Sequence, residues 1–334
     1  MPERVSWVRI PPSPPGLIRC GILSIESTTA MPELLIHPEE SEESKFHSPL
    51  EERDKSDSLR QLEQQLGGSS PRVEGEGDER HMVLPREPYT LYEHALHRPE
   101  TRFHLADLKK LDPETHEHTM GVTQNAVALA WINRHLEGIT AEDIKILAQA
   151  GFLHDIGKLD LPKLQQNDKK GNLTDEMVLA HQVKRRFKSD ERKKVKLHSH
   201  PLLSVRRLQR EHPVDDPRIL ALVALHHQLQ EYPTLSSSDA ESVMVDLGIH
   251  SKEDRKKIRI LQQFLEAGDK FDAMDNYRPY REGEEPPTPK EIEDDIKKNF
   301  IKRGANPKFA YQIMDLYYPD RYQTPEYQDN TVPR

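Results

Sequence analysis

Cys20 is the single cysteine among 334 residues, which excludes a disulfide framework and any site built on several thiolates. A metal held by this chain must be bound by histidine, aspartate or glutamate. Long apolar runs are missing too: none approaches the ~20 residues that cross a bilayer. Hydrophobic residues make up only 34% of the sequence and charged residues 31%, so a sizeable core requires the apolar residues to be concentrated. They are, between about Ala126 and Met274. An excess of positive charge is also lacking. The formal net charge of −9 argues against general nucleic-acid binding, which needs a cationic face. These absences predict a soluble, cytoplasmic protein with neither membrane nor nucleic acid as a partner.

The first 30 residues carry Arg4, Arg9, Arg19 and the run Pro11-Pro12-Ser13-Pro14-Pro15, with a short apolar piece from Gly21 to Ile25. A secretory signal needs an uninterrupted apolar stretch of ~7–15 residues, so no export signal is read here. The segment is expected to be a mis-assigned start, with Met31 the true first residue. Residues 31–80 are acidic and polar, as in Glu39-Glu40-Ser41-Glu42-Glu43. Such a stretch buries too little apolar area to offset ~1–2 kcal/mol of backbone entropy per residue, which predicts a disordered tail with a short helix around Leu59 to Leu66. The division expected is an extension over 1–81, a catalytic domain over 82–318 and a tail over 319–334.

Within the domain the periodicity is helical and strand signals are absent. Tyr89, Tyr92, Leu96, Phe103 and Leu108 predict one or two opening helices. Val122, Ala126, Leu129, Ile132 and Leu136 recur at threes and fours as one apolar stripe. Thr140 with Asp143 reads as a capping box, and Ile144, Leu147, Ala148 and Gly151 lead the next helix into His154-Asp155. Pro201 and Pro217 suit first helical turns. Ile219, Leu222, Val223 and His226 share a face, and Ser251 with Asp254 opens a helix with the stripe Ile258, Leu261, Leu265, Asp269 and Asp272. A further helix is expected at about Glu291 to Arg303. The fold class is all-α, a helical bundle.

Chemistry enters where polar residues interrupt those stripes. His154 and Asp155 stand side by side where a helix gives out, an imidazole and a carboxylate able to bind one metal ion or bridge two. Glu114 and His118 are four apart and face the core side if their helix starts that early. His226 and Asp269 each continue an apolar stripe. Any one of these has an ordinary reading as a cap, a structural hydrogen bonder or a loop histidine, as do His198, His200 and His212. The ordered set of Glu114, His118, His154-Asp155, His200, His226-His227 and Asp269, each at the start or end of a distinct helix, is what points to a metal. Burying such groups costs several kcal/mol each unless they compensate one another with a cation.

That ordered set resembles the HD superfamily of metal-dependent phosphohydrolases, and more narrowly its HD-GYP branch, which hydrolyses cyclic di-GMP. The likeness runs from about Glu114 to Arg281. His154-Asp155-Ile156-Gly157-Lys158 matches the branch's His-Asp-x-Gly-Lys signature, His200-Pro201 its His-Pro, His226-His227 its paired histidines, and Gly268 to Met274 with Arg278-Pro279-Tyr280-Arg281 its closing block. Gln228 stands where the branch has glutamate, and Glu231-Tyr232-Pro233 where it has Gly-Tyr-Pro. The stretch from Lys163 to Lys196 looks longer than usual and is basic, with 11 Lys/Arg against 5 Asp/Glu. It reads as a surface helix around Glu176 to Lys188, as a lid that draws anionic substrate, or as a patch for nucleic acid.

The resemblance implies an HD-domain helical bundle whose metal ligands are Glu114, His118, His154, Asp155, His200, His226, His227 and Asp269, with Asp155 the bridge. It implies two or three divalent ions, iron or manganese favoured, with zinc, cobalt and nickel as alternatives. Asp155 and Lys158 would be catalytic, and Lys158, Arg278 and Arg281 would contact substrate phosphate. The activity implied is cleavage of a phosphoester by metal-bound hydroxide. A cyclic dinucleotide of the cyclic di-GMP type is the leading substrate, and another nucleotide or phosphoester is the alternative. The rival reading is a non-catalytic metal-binding module for a signalling-protein partner; a homodimer is compatible with either.

Overall fold

Ten α-helices form among the residues that the computed structural model describes: 70–75, 80–161, 163–167, 173–179, 199–229, 234–275 and 287–321. They are α1 (Arg86–Leu96), α2 (Pro99–Leu111), α3 (Pro113–Asn133), α4 (Ala141–Leu153), α5 (His200–Arg210), α6 (Pro217–Leu225), α7 (Ser237–Asp246), α8 (Lys252–Asp275), α9 (Pro289–Asn299) and α10 (Pro307–Tyr317). Short 3-10 turns lie at Ile156–Asp160 and Ile301–Arg303. Local chemistry sets most of the starts. Asp112 accepts a hydrogen bond from the Thr115 amide ahead of Pro113, Thr140 and Asp143 form the reciprocal capping box, and Thr288 and Glu291 form a second one at α9.

Two helices are apolar nearly all round, so they lie inside. On α4, Ile144, Leu147, Ala148 and Phe152 are buried, and on α6, Leu222 and Val223 are completely so. Around them pack the inner faces of α3 (Val122, Ala126, Leu129) and α8 (Ile258, Leu261, Phe264, Leu265). Each large side chain of this kind contributes about 1.5–3 kcal/mol relative to exposure. The far end of α8 is held by a polar clasp: the Arg80 guanidinium donates to the Asp275 carboxylate at 3.1 Å and contacts the Tyr318 hydroxyl at 3.0 Å. Tyr317 donates to the Asn125 side chain at 3.0 Å, tying α10 to α3.

The helical reading of the sequence holds, with several corrections. Among the described residues four short strands form two antiparallel pairs, β1 (Arg72–Glu74) with β2 (His81–Val83), and β3 (Lys163–Asn167) with β4 (Leu173–Leu179). β1 falls inside the stretch expected to be a disordered tail; its three-residue ladder to β2, with Met82 buried, holds it. β4 occupies the first part of the helix expected around Glu176 to Lys188. Residues 168–172 and 180–198 lie outside the described set, as does most of the basic stretch proposed as a lid. Leu136 does not complete the α3 stripe: the helix ends at Asn133 and Leu136 is 73% exposed. The expected start at Met31, the helix at Leu59 to Leu66, Arg278, Arg281 and Glu231-Tyr232-Pro233 all fall outside the described residues. Among the described residues no helix is long and apolar enough to cross a membrane.

His104, on α2, is fully buried, and neither ring nitrogen makes a well-formed hydrogen bond. Burial and then the Arg207 charge lower its pKa, against the Glu211 and His212 carbonyls and the Glu211 charge. The unfolded chain therefore binds this proton more readily, and the associated stability, complete above an unfolded pKa of about 6.5, is lost as pH falls from there toward the lower folded value. Urea unfolding of the His104→Leu protein at pH 7.5 and 5.5 is expected to show a smaller loss than wild type. Equal losses would rule out His104 as a source of acid sensitivity.

Candidate metal centre

Five helices deliver the parts of the site, three of them from an end. His118 lies in the second turn of α3, His154 caps the C-terminus of α4 with Asp155 following, and His200 begins α5. His226 caps α6 with His227 next in sequence, and Asp269 comes from the middle of α8. The close seating of α5 depends on Gly157. A side chain there would stand 2.3 Å from both the His200 carbonyl and the Ser204 amide. Ser204 completes the joint, its hydroxyl donating to the His154 carbonyl at 2.7 Å and accepting from the Gly157 amide at 2.8 Å.

Asp155 is buried at the centre, and its two oxygens face different partners. Oδ2 is 3.6 Å from His118 Nε2 and 3.4 Å from His154 Nε2, while Oδ1 is 3.0 Å from His200 Nε2 and 3.8 Å from His226 Nε2. Asp269 lies across the site, 3.0 Å from His118 Nε2 and 3.6 Å from His227 Nε2. Two groups have ligand atoms all within 4.8 Å of one another: His118, His154 and Asp155, and His200, His226 and His227. Lys158, one turn beyond, pairs with Asp155 Oδ2.

The hydrogen bonds fix which ring nitrogens face inward. A carbonyl can only accept, so the 2.7 Å contacts from His154 Nδ1 to the Gly151 carbonyl and from His226 Nδ1 to the Val223 carbonyl place protons on both Nδ1 atoms. In the neutral rings Nε2 is then a bare lone pair aimed at the centre. His154 Nε2 is buried with no hydrogen-bond partner, and the Nε2 atoms of His200 and His226 face each other at 3.2 Å. His118 is turned by Asp272, whose carboxylate holds its Nδ1 at 2.5 Å and leaves Nε2 pointing inward. A carboxylate behind an imidazole in this way orients metal-binding histidines.

The protonation directions suit a cation. Burial, followed by the positive charges of neighbouring histidines, pushes His226 and His227 well below the ordinary imidazole value. Burial would raise Asp155 and Asp269, yet both lie well below the ordinary carboxylate value. Lys158 and His154 hold down the first, and His118 and His227 the second. His154 goes the other way: burial opposes, but the Asp155 and Asp269 carboxylates and the Gly151 carbonyl raise it, so its Nε2 must give up its proton for a cation to bind there. Neutral imidazoles beside ionised carboxylates are the forms that bind metal. Three buried carboxylates, Asp155, Asp269 and Asp272, share this small volume. These nitrogen and oxygen donors fit divalent cations.

Of the residues expected from sequence, His118, His154, Asp155, Lys158, His200, His226, His227 and Asp269 are brought together. Glu114 is exposed in the first turn of α3, although His118, four residues on, is buried. Asp272 and Ser204 were not expected in positioning roles. Their only sequence signals are spacing, Asp272 three residues after Asp269 and Ser204 four after His200.

Residues 115–274, about half of the chain, match the HD domain family. The chain thus carries an HD domain of the HD superfamily, whose members are typically metal-dependent hydrolases of phosphoesters. No curated protein and no solved structure matches the chain significantly.

Gly121 gives a test of the site's support. An added methyl would lie 2.2 Å from Asp272 Oδ1 and displace the carboxylate that turns His118. Alanine is otherwise better than glycine in a helix by about 1 kcal/mol. Gly121→Ala should therefore keep its helical circular dichroism while losing affinity for Mn²⁺ by about 10–100-fold, the range for outer-shell partners. Unchanged affinity in a calorimetric titration would sink the assignment of Asp272.

Proposed function

We propose that this chain is a metal-dependent phosphohydrolase of the HD-GYP type with two divalent ions, one held by His118, His154, Asp155 and Asp269 and the other by Asp155, His200, His226 and His227. The observation that carries the reading is the division of Asp155, whose Oδ2 faces one imidazole group and Oδ1 the other. Iron or manganese suits a donor set of nitrogen and oxygen without thiolate. Divalent ions there would lower the pKa of water and draw charge from phosphate oxygens, so that no protein nucleophile is needed.

The chain's own residues supply the rest. Asp155 orients both groups, and its charge keeps the inward side of the site anionic until cations are held. Lys158 is 14% exposed, at the open side of the site, where its ammonium can take a non-bridging phosphate oxygen. Arg278 and Arg281, three and six residues beyond the end of α8, are the proposed additional phosphate contacts, each with a two-donor fork. Glu114 is the proposed extra ligand should a third ion bind. A cyclic dinucleotide is the proposed substrate, with another nucleotide or phosphoester as the alternative.

Purified wild-type protein is expected to hold about two ions per chain and to cleave bis(p-nitrophenyl) phosphate with Mn²⁺ or Fe²⁺. Asp155→Ala should lower kcat by more than about a hundredfold, beyond the loss typical of an outer-shell partner, with the helical fold retained. Turnover that survives the substitution would overturn the mechanism, and wild-type protein with metal but no turnover would support the non-catalytic module instead.

A further inference from the structure

The helix α8 carries a third buried carboxyl, which the chemistry above does not use. Glu266 is completely buried, one turn before Asp269. Its Oε2 accepts from the Leu229 amide at 2.8 Å, and its Oε1 accepts from the Gln228 amide at 3.1 Å and from the Gln262 side chain at 2.6 Å. Gln228 and Leu229 directly follow His226-His227. The Gln228 side chain in turn donates to the Leu235 carbonyl at 3.0 Å, closing the base of the loop that follows the two histidines.

This placement is not that of an ordinary helix cap. The open groups at a helix C-terminus are carbonyls, which a carboxylate cannot satisfy. The Gln228 amide already reaches the Leu225 carbonyl at 2.9 Å, so the carboxyl of Glu266 does not rescue an orphan there. It brackets two consecutive amides and thereby sets the direction in which the backbone leaves α6. His226 has a tether of its own, from Nδ1 to the Val223 carbonyl. The two bracketed amides are those that directly follow His227 in sequence.

We propose that Glu266 is a positioning residue for the His200, His226 and His227 group, holding the two adjacent histidines in place through the backbone amides that follow them. The inference rests on the two-ion reading above and adds a residue whose effect is confined to one of the two ions. Gln262 supports it by fixing Oε1 from one turn earlier on the same helix. Glutamine at 266 fills the same space but turns an N–H group toward one of the two amide donors, so the bracket cannot form on both sides.

The test is a calorimetric titration of the full chain with Mn²⁺, with circular dichroism as the check on folding. In Glu266→Gln one of the two ions is expected to bind at least about tenfold more weakly and the other to keep its wild-type affinity, in line with outer-shell changes elsewhere. Asp272→Asn gives the reference pattern, since it should weaken the other ion, the one near His118. Two unchanged affinities, or equal loss at both sites, would overturn the proposal, the latter because a general loss of core packing does not choose between ions. If Glu266→Gln fails to fold, Gln262→Met decides: weakening confined to the ion that Asp272→Asn spares supports the proposal, and wild-type binding at both sites overturns it. Wild-type protein that takes up fewer than two ions defeats the two-ion reading itself, and this inference with it.

Discussion

The constraint on which the site depends is the burial of the Asp155 carboxylate between two sets of imidazoles. A buried carboxylate is costly unless charge and hydrogen bonds compensate it. Here Lys158 provides one charge, and the rest of the compensation must come from the ring nitrogens and whatever cations they hold. The backbone around Asp155 is built to keep it in that position. The last turn of α4 ends at its neighbour, the 3-10 turn begins just after it, and Ser204 links both to α5. A shift of any of these elements would move one oxygen of Asp155 toward its partners and the other away. The two imidazole groups are therefore coupled through a single side chain.

The second organising element is the polar stripe on α8. Gln262, Glu266, Asp269 and Asp272 are all buried on a helix whose other inward residues, Ile258, Leu261 and Leu265, are apolar. Spacings of three and four place the polar four on one side. Along this stripe Asp269 lies between His118 and His227, and Asp272 stands behind His118. One rigid helix thus meets both imidazole groups, which fixes their separation better than loops could. The Arg80 and Tyr318 contacts at Asp275 hold the end of that helix, so the segments flanking the family-matched region contribute to its register.

The parts of this arrangement that were legible in the sequence are those with local signals. His154-Asp155 and His226-His227 are adjacent pairs at the ends of apolar runs, and the capping box at Thr140 and Asp143 is contiguous. Ligand-like residues on different helices could be grouped only by their order along the chain and by family resemblance, because nothing local relates His118 to Asp269. The contact between His118 and Asp272 joins residues 154 apart in sequence, and only the crossing of α3 and α8 creates it. Spacing alone does not give burial: Glu114, four residues before His118, is exposed in the first turn of α3 while His118 is buried. The strand pairs were missed because strands of three to seven residues offer too few alternations to compete with helical spacing. In α10, Phe309 and Ile313 keep helical spacing, four residues apart and both buried.

Burial also gives the site a direction. His154, Asp155 and His226 are at most 1% exposed, whereas the side chains of Lys158 and His227 are 14% and 12% exposed. The side chains nearest solvent are therefore those of Lys158 and His227. In the proposed hydrolase the Lys158 ammonium would meet an anionic substrate, and the buried carboxylates would repel that substrate until cations occupy the centre. Metal uptake and phosphate binding would then be linked, since the carboxylates that attract the cations exclude the substrate in their absence.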